Sequence, residues 1–285
     1  MITRRNFIKT TAITAIGTAM IPKFIHASTI KHDVGLQLYT VRDQLEKDFM
    51  GTLRSLKKIG YTWLEAAGYN DGKFYGLAPA EFKKKIDNLG MKVISSHAMF
   101  NADKQKQAIA AHAELGVEYL VFPGFPVPEH KTKDDFMKAA ARLNALGEAC
   151  KTAGMKFGYH NHDFEFVELE GSRGFDILLN ATDSQKVCFE SDIYWMIYAG
   201  VEPMSYFEKY PDRFELWHVK DMKATPDKGF TEVGTGIIPY GKMFETSDKS
   251  GMKYFFIEQD DCEIDPLESV QISYDNLQVI LSGKG

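Results

Sequence analysis

Residues 136–160, FMKAAARLNALGEACKTAGMKFGYH, contain the pattern that decides the fold. Apolar residues recur at helical spacing from Phe136 to Ala153, and Gly154 stands where a left-handed C-terminal cap favours glycine. The β-rich run from Lys156 to His160 follows directly. This stretch therefore predicts a helix, a glycine cap and a short strand that ends on a polar residue.

The same unit recurs along the chain. A glycine before a strand is found again at Gly60-Tyr61, Gly90-Met91, Gly116-Val117 and Gly251-Met252. Amphipathic helices are predicted at 43–59, 79–89, 104–115 and 136–153, and strands at 34–39, 61–66, 92–97, 119–122, 156–160, 186–192, 214–219 and 254–258. About eight strand–helix units fit an α/β fold of the (β/α)8 TIM barrel type. A doubly wound sheet is the alternative, but no Gly-x-Gly-x-x-Gly follows the first strand.

The composition is that of an acidic globular protein. The 285 residues are 44% hydrophobic and 26% charged, and 34 lysines and arginines stand against 39 aspartates and glutamates, for a formal charge of −5. These values exclude disorder and a coiled coil. An acidic chain lacks the basic surface that supplies most of the affinity of nucleic-acid-binding proteins. We therefore expect a small-molecule partner and no nucleic acid.

Residues 1–27 have the layout of an export signal. Arg4, Arg5 and Lys9 precede an uncharged stretch over 10–21, and a processing point follows Ala27. The paired arginines resemble a twin-arginine signal, which predicts a periplasmic protein. The alternatives are a basic amphipathic start and a retained membrane anchor. An apolar run of ~12 residues is short for a membrane span. We therefore expect no stable membrane insertion after signal removal. Residues 28–285 then form a single TIM-barrel domain.

Polar residues end most of the predicted strands. In a TIM barrel the carboxyl ends of the strands carry the chemistry, so these residues are the candidates for a site. They are Gln37, Glu65, His97, His160 with His162, Asp192, His218 with Lys220, and Glu258 with Asp260. Each can also be an ordinary strand-end residue that is hydrogen-bonded within the fold.

The alternation of side chains along strands tests whether these candidates meet. Residues two apart share a face, so one register points metal-competent side chains inward from four consecutive strands. Asp192, His218 and Glu258 offer two carboxylates and one imidazole, a set that suits manganese, cobalt, magnesium or zinc. The pattern predicts an open site for a divalent metal ion.

Several motifs, in this order, carry a family resemblance. They are Gly35-Leu36-Gln37-Leu38-Tyr39-Thr40, Gly158-Tyr159-His160-Asn161-His162-Asp163-Phe164-Glu165-Phe166, Asp192-Ile193-Tyr194-Trp195, His218-Val219-Lys220-Asp221, Gly234-Thr235-Gly236 and Glu258-Gln259-Asp260. Together they resemble the sugar phosphate isomerase/epimerase family of xylose isomerase-like TIM barrels. The resemblance covers nearly all of the chain after the signal.

The resemblance implies a metal held by carboxylates of the fifth, sixth and eighth strands and a histidine of the seventh. Three of these positions fall on Asp192, His218 and Glu258. The fifth-strand glutamate of the family falls on His160, which is a departure. Either His160 replaces that ligand, or Glu165 reaches back from the following loop.

The departure also bears on the implied reaction. The family's epimerases move a proton between two glutamates through a metal-bound enediolate, which implies a sugar isomerase or epimerase with Glu258 as one catalytic group. The Tyr-His-Asn-His run resembles the Tyr-His-His-His of inosose dehydratases, so a keto-sugar lyase, either a dehydratase or an enzyme that cleaves 3-keto-glycosides, is the alternative. His160 or His162 would then be the base, since a neutral imidazole accepts protons near neutral pH. A periplasmic protein that binds carbohydrate without turnover is the third interpretation.

The remaining candidates are assigned to the substrate. An exported enzyme meets free sugars, keto-sugars or glycosides rather than sugar phosphates, so the predicted partner is a small carbohydrate. Its predicted contacts are His97, Lys220, Glu65, Gln37 and Trp195. The Gly234-Thr235-Gly236 loop either binds an anion or is a simple turn. The sequence leaves the oligomeric state open, a homo-oligomer included.

Overall fold

Eight parallel strands close into a barrel in the computed structural model, which describes residues 32–125 and 131–283. The strands are β1 (Gly35–Gln37), β2 (Trp63–Ala66), β3 (Lys92–His97), β4 (Tyr119–Phe122), β5 (Lys156–His160), β6 (Val187–Asp192), β7 (Leu216–Val219) and β8 (Tyr254–Ile257). Each strand pairs with the next along the chain, and β8 pairs with β1. The predicted TIM barrel is confirmed, and the predicted export signal, residues 1–27, lies outside the described residues.

Helices connect the strands. The described residues form α1 (Arg42–Lys47), α2 (Phe49–Ile59), α3 (Pro79–Asn88), α4 (Gln105–Leu115), α5 (Lys133–Thr152), α6 (Gly174–Ala181), α7 (Ile193–Tyr198), α8 (Pro203–Lys209), α9 (Tyr240–Phe244) and α10 (Pro266–Leu281). None of these helices combines the length and the apolar character that crossing a membrane requires.

The predicted helix over 43–59 is wrong in one respect, because it is two helices. The chain leaves helical conformation at Asp48, with φ −147° and ψ 87°. The Asp48 carboxylate accepts a hydrogen bond from the Gly51 amide at 2.9 Å and so caps the start of α2. A continuous apolar periodicity does not reveal such a break.

The stretch 136–160 folds as the sequence predicts. A capping box starts α5, in which Thr132 and Asp135 bond each other's backbone amides. Gly154, with φ 81°, lies in the left-handed region just after the helix. That turn takes the chain from the outer helix α5 into the inner strand β5 within a few residues.

Glycine also lets the inner wall of the barrel pack closely. A Cβ on Gly35 in β1 would lie 2.6 Å from the backbone oxygen of Phe255 and 2.4 Å from the ring of Phe256. A Cβ on Gly158 in β5 would lie 3.0 Å from Val121. Apolar side chains thus fill the lower barrel, and Cys188, Leu216 and Phe256 each lie two residues before a polar residue on the same strand face.

A buried carboxylate joins four strands at the amino ends of the barrel. Glu215 accepts hydrogen bonds from Tyr119 at 2.8 Å, from Lys253 and from Lys156. These partners lie on or next to β4, β5 and β8, while Glu215 itself immediately precedes β7. We refer to these four residues as the Glu215 cluster.

Candidate active site

Three side chains from adjacent strands meet at the carboxyl ends of the barrel. Asp192, the last residue of β6, pairs in register with His218 of β7, and Glu258 directly follows β8. All three are buried, and their ligand atoms lie within 4.8 Å of one another. His218 Nδ1 is 2.7 Å from Glu258 Oε2. Two carboxylates and one imidazole at this spacing fit a divalent ion, so the donor set predicted from the sequence is brought together.

A second set lies beside the first and contains a residue that sequence reasoning left out. Glu190 Oε2 is 2.6 Å from His97 Nε2 and 3.2 Å from both His160 Nδ1 and His218 Nε2. The four side chains again offer atoms within 4.8 Å of one another. Glu190 lies two residues before Asp192 on the same face of β6, and that alternation was the signal that could have identified it.

His160 belongs to this second set. Its Nδ1 faces Glu190, whereas its Nε2 is 3.5 Å from Asp192 Oδ2. The structure therefore places His160 next to the predicted metal ligands but groups its nitrogen with Glu190. Its role as the fifth-strand ligand stays a prediction.

The alternative ligand, Glu165, is turned away from both sets. Its two oxygens accept hydrogen bonds from the Tyr159 hydroxyl at 2.6 Å and from the His162 amide at 2.9 Å. The Glu165 side chain is fully buried there. The Glu165 carboxylate thus fixes the chain that carries His162 and lies outside both donor sets, while its role as an alternative ligand stays a prediction.

The side chains beneath the metal set orient His218. Its Nε2 is 2.5 Å from Glu65 Oε2, and Glu65 also accepts hydrogen bonds from Gln37 at 2.9 Å and Ser95 at 2.5 Å. A carboxylate that bonds the far nitrogen of a metal-binding histidine fixes the ring and raises its basicity. Glu65 and Gln37 were predicted to contact substrate. Both are fully buried and support His218 in this structure, and their contact with substrate stays a prediction.

One ammonium group lies among three carboxylates. Lys220 Nζ is 2.8 Å from Asp192 Oδ2 and 2.7 Å from both Glu258 Oε2 and Asp260 Oδ1. Lys220 is 2% exposed, so this charge depends on its partners rather than on water. Asp260 appears among the strand-end residues in the sequence but received no role, because its contact with Lys220 depends on the fold.

A cavity of about 460 Å³ opens directly above these groups. Its walls are formed by Tyr39, Ala67, Tyr69, His97, Ala98, Met99, Pro123, His160, His162, Lys220, Glu258 and Asp260. His97 and Lys220, predicted to contact substrate, are on this wall. Trp195 is not on this wall. Asp192 caps the start of α7, and that helix places the Trp195 ring beside His162, with the two ring centroids 5.9 Å apart.

Burial and neighbouring charges divide the basic groups into two classes. Burial alone would lower the pKa of His218 and Lys220, but nearby carboxylates outweigh it and raise both well above their usual values. Burial lowers the pKa of His162 to about 3, with a further contribution from the Lys220 charge, and it lowers the pKa of His160 strongly. The cavity therefore presents fixed positive charge beside neutral imidazoles.

The Gly234-Thr235-Gly236 loop uses its amides within the protein. Asp221 accepts hydrogen bonds from the Gly234 amide at 2.9 Å, the Gly236 amide at 3.0 Å and the Ile238 amide at 3.1 Å. The protein's own carboxylate thus takes the place of an external anion. The loop is a turn, as the simpler interpretation held.

Known proteins resemble this chain in sequence and in fold. Residues 53–278 match the family model for the xylose isomerase-like TIM barrel. An inosose dehydratase of Lacticaseibacillus casei is 28% identical over 236 residues, which cover 76% of this chain and 74% of the relative. A crystal structure of a sugar phosphate isomerase/epimerase from Parabacteroides distasonis superposes with a TM-score of 0.78 at 31% identity, covering 88% of this chain and 95% of that one.

A more distant structure shares the fold alone. The IolI protein, crystallised with a zinc atom, superposes with a TM-score of 0.71 at 13% identity and covers 89% of this chain and 99% of its own. The family model spans most of the chain, and the Parabacteroides structure adds substantial identity over nearly all of it. The resemblance seen in the sequence motifs is confirmed: this chain belongs to the xylose isomerase-like TIM barrel family.

Proposed function

We propose that the protein is a divalent-metal-dependent lyase that acts on keto-sugars. It would remove a proton from the carbon next to a carbonyl and expel an oxygen leaving group from the adjacent carbon. The proposal rests on one observation at the end of the fifth strand: the imidazoles of His160 and His162, and not a carboxylate, line the cavity there. The relationship to inosose dehydratases supports the same reaction class.

The metal-ligand candidates account for the activation of the substrate carbonyl. A divalent ion held by Asp192, His218 and Glu258 would polarise the substrate carbonyl as a Lewis acid. The zinc atom of the similarly folded IolI protein supports a metal in this family. Glu65 keeps the His218 ring in place from below.

His162 is the proposed base. It lines the cavity, and its Nδ1 is buried without a hydrogen-bond partner among the described residues. Burial lowers the pKa of His162 to about 3, so the ring is neutral at physiological pH, and its assignment as the base rests on the position of the unpartnered nitrogen in the cavity wall. His162 would accept the substrate proton, and the carbon electron pair would form the new double bond as the carbon–oxygen bond breaks.

Lys220 stabilises the negative charge that develops on substrate oxygen. Its pKa is held well above the usual lysine value, so it stays an ammonium and acts through charge and hydrogen bonds rather than by giving up a proton. It lines the cavity next to Glu258 and Asp260. The leaving oxygen would depart with a proton taken from solvent.

The test is product mass. Protein loaded with manganese or zinc is incubated with an inosose and with 3-keto-glucosides, and products are followed by mass spectrometry. We expect the loss of water or of the glycosidic alcohol. His162→Gln should lower kcat roughly 10²- to 10⁴-fold while the metal content is retained. His32→Gln, at an exposed position, is the control and should match the wild type.

A sugar isomerase or epimerase is the second candidate. Glu258 and His162 line the same cavity, so two proton-transfer groups are available, and the Parabacteroides relative is named as a sugar phosphate isomerase/epimerase. In that case the product keeps the substrate mass and takes up deuterium from D₂O. Such a product would overturn the lyase proposal, and binding without any product would favour a carbohydrate-binding protein.

A further inference from the structure

A second cavity of about 540 Å³ adjoins the catalytic one. Tyr39, just after β1, and Ala67, just after β2, belong to the walls of both. Since both residues follow the carboxyl ends of their strands, the two cavities lie at the same end of the barrel. Tyr39 and Ala67 thus separate the metal set from the second space, which we call the side cavity, and a molecule that occupied both would pass Tyr39.

The side cavity differs from the catalytic one in chemistry. Leu38, Leu45, Phe49 and Tyr75 form much of its wall, with Arg42 and Glu46 also contributing. The catalytic cavity also has apolar wall residues at Ala98, Met99 and Pro123, but it contains three histidines, one lysine and two carboxylates. A polar site beside an apolar one fits a ligand with a polar part and an apolar part.

One wall of the side cavity is held in a strained conformation. Tyr75 has φ 51°, which is unfavourable for a bulky side chain. Its amide donates to the Gly68 oxygen at 2.8 Å, and its hydroxyl oxygen accepts from the Ala67 amide at 3.0 Å. Strain that is maintained by such contacts points to a function for the residue. Here it presents an aromatic ring to the side cavity.

The ring at the junction of the two cavities is also fixed. Tyr39 is 45% exposed, and the Arg42 guanidinium lies 4.1 Å from its ring centroid. The same guanidinium donates to the backbone oxygens of Tyr39 and Asp260, both at 3.0 Å. An exposed aromatic ring held in this way is a stacking surface for another ring at small entropic cost.

We propose that the side cavity binds an aryl or similarly apolar leaving group, so that the substrate is a keto-glycoside with an apolar aglycone. This inference rests on the proposed lyase function, because only an elimination that cleaves the glycosidic bond has such a leaving group. The proton leaves the carbon next to the carbonyl, its electron pair forms the double bond, and the glycosidic oxygen departs with the bond pair. The aglycone, protonated by solvent, is released from the side cavity.

The first experiment compares benzyl and methyl 3-keto-glucosides as substrates, because their leaving alcohols have similar acidity and differ in the phenyl ring. Burial of the phenyl ring should raise kcat/KM roughly 10- to 100-fold over the methyl substrate. Glu46→Trp, at an exposed position on the cavity rim, should lower that ratio at least tenfold by blocking the space. Glu81→Trp, exposed on α3, is the matched control and should leave the ratio as it is. If both substrates had the same kcat/KM in the wild type and again in Glu46→Trp, the proposed role of the side cavity would be overturned. The lyase function would still hold, because both substrates would be cleaved.

A binding measurement separates the two proposals. Phenyl and methyl glucosides that carry no ketone cannot eliminate, and their affinities are measured by calorimetry. We expect the phenyl compound to bind more tightly and Glu46→Trp to abolish the difference. If that holds while neither keto-substrate is turned over, the side cavity is supported and the lyase proposal fails. Equal binding of both compounds by the wild type would contradict the side cavity directly.

Discussion

Lys220 is the residue on which the charge balance of the metal set depends. Its ammonium contacts the carboxylates of Asp192, Glu258 and Asp260, two of which are predicted metal ligands. A bound divalent cation and the ammonium therefore share the same oxygens. Metal binding should be weakened by this internal competitor, and loss of the lysine should leave buried carboxylates unpaired.

We predict that Lys220→Met destabilises the metal-free protein by roughly 3–5 kcal/mol, the usual effect of removing one partner from a buried ion pair. Added manganese should then raise the melting temperature more in the variant than in the wild type. Differential scanning fluorimetry with and without metal measures both effects.

Lys223→Met is the control for this comparison. Lys223 pairs with the exposed Glu263 at the surface, where an ion pair contributes little. Its loss should leave both melting temperatures nearly unchanged. An equal metal-induced shift in Lys220→Met and the wild type would show that the lysine does not compete with the ion.

The limits of sequence reasoning are also clearest for single residues. Side-chain alternation was enough to bring Asp192, His218 and Glu258 together, because strand register fixes which face each residue occupies. Glu190 shares a face with Asp192 and is paired with His160 on the neighbouring strand, but its shortest contact is to His97 of β3, which only the closed barrel brings close. Trp195 lies beside His162 and is not among the residues of the catalytic cavity wall, because the direction of α7 decides where its ring lies and the adjacent motif does not specify that direction.

Among the secondary-structure elements, β1 leaves no room for a side chain at Gly35. The position of a Cβ on Gly35 lies 2.6 Å from a backbone oxygen of β8. Backbone atoms in a closed barrel cannot move aside without disturbing the pairing of both strands. This glycine was part of a family motif in the sequence, but its physical reason is the approach of the eighth strand.

We predict that Gly35→Ala destabilises the protein by about 1–3 kcal/mol through overpacking. Gly241→Ala in α9 should change stability by less than about 1 kcal/mol, because no atom lies within 4 Å of its Cβ position and helices favour alanine. Urea denaturation of both variants gives the comparison. Equal stability of the two variants would show that the barrel relaxes at this point.

The elements themselves were largely predictable. All eight strands overlap β-rich runs of the sequence, and five of them follow a glycine that ends the preceding helical segment. Helical and strand periodicity differ, and glycine marks the change. The break at Asp48 was not predictable from periodicity, because α1 and α2 continue the same apolar spacing and only the hydrogen bond to Gly51 separates them.

At the scale of the whole molecule, the Glu215 cluster secures the barrel at the end opposite the cavity. Glu215→Ala removes the partner of a buried tyrosine hydroxyl and of two lysines. We predict a loss of roughly 1–3 kcal/mol in the free energy of unfolding, as for other buried polar groups left unsatisfied. Metal affinity, measured by calorimetry, should remain as in the wild type.

Glu263→Ala, which breaks an exposed ion pair, serves as the reference for this variant. It should unfold at nearly the wild-type denaturant concentration. A loss of metal affinity in Glu215→Ala would mean that the two barrel ends are energetically coupled.

The position of the Glu215 cluster has a consequence for how such a scaffold can diversify. Four strands are joined at one end by contacts that take no part in the proposed reaction. Replacement of a polar side chain at the other end, such as His160, leaves these contacts intact. A scaffold of this kind can then change its proton-transfer groups while keeping the interactions that hold these four strands together.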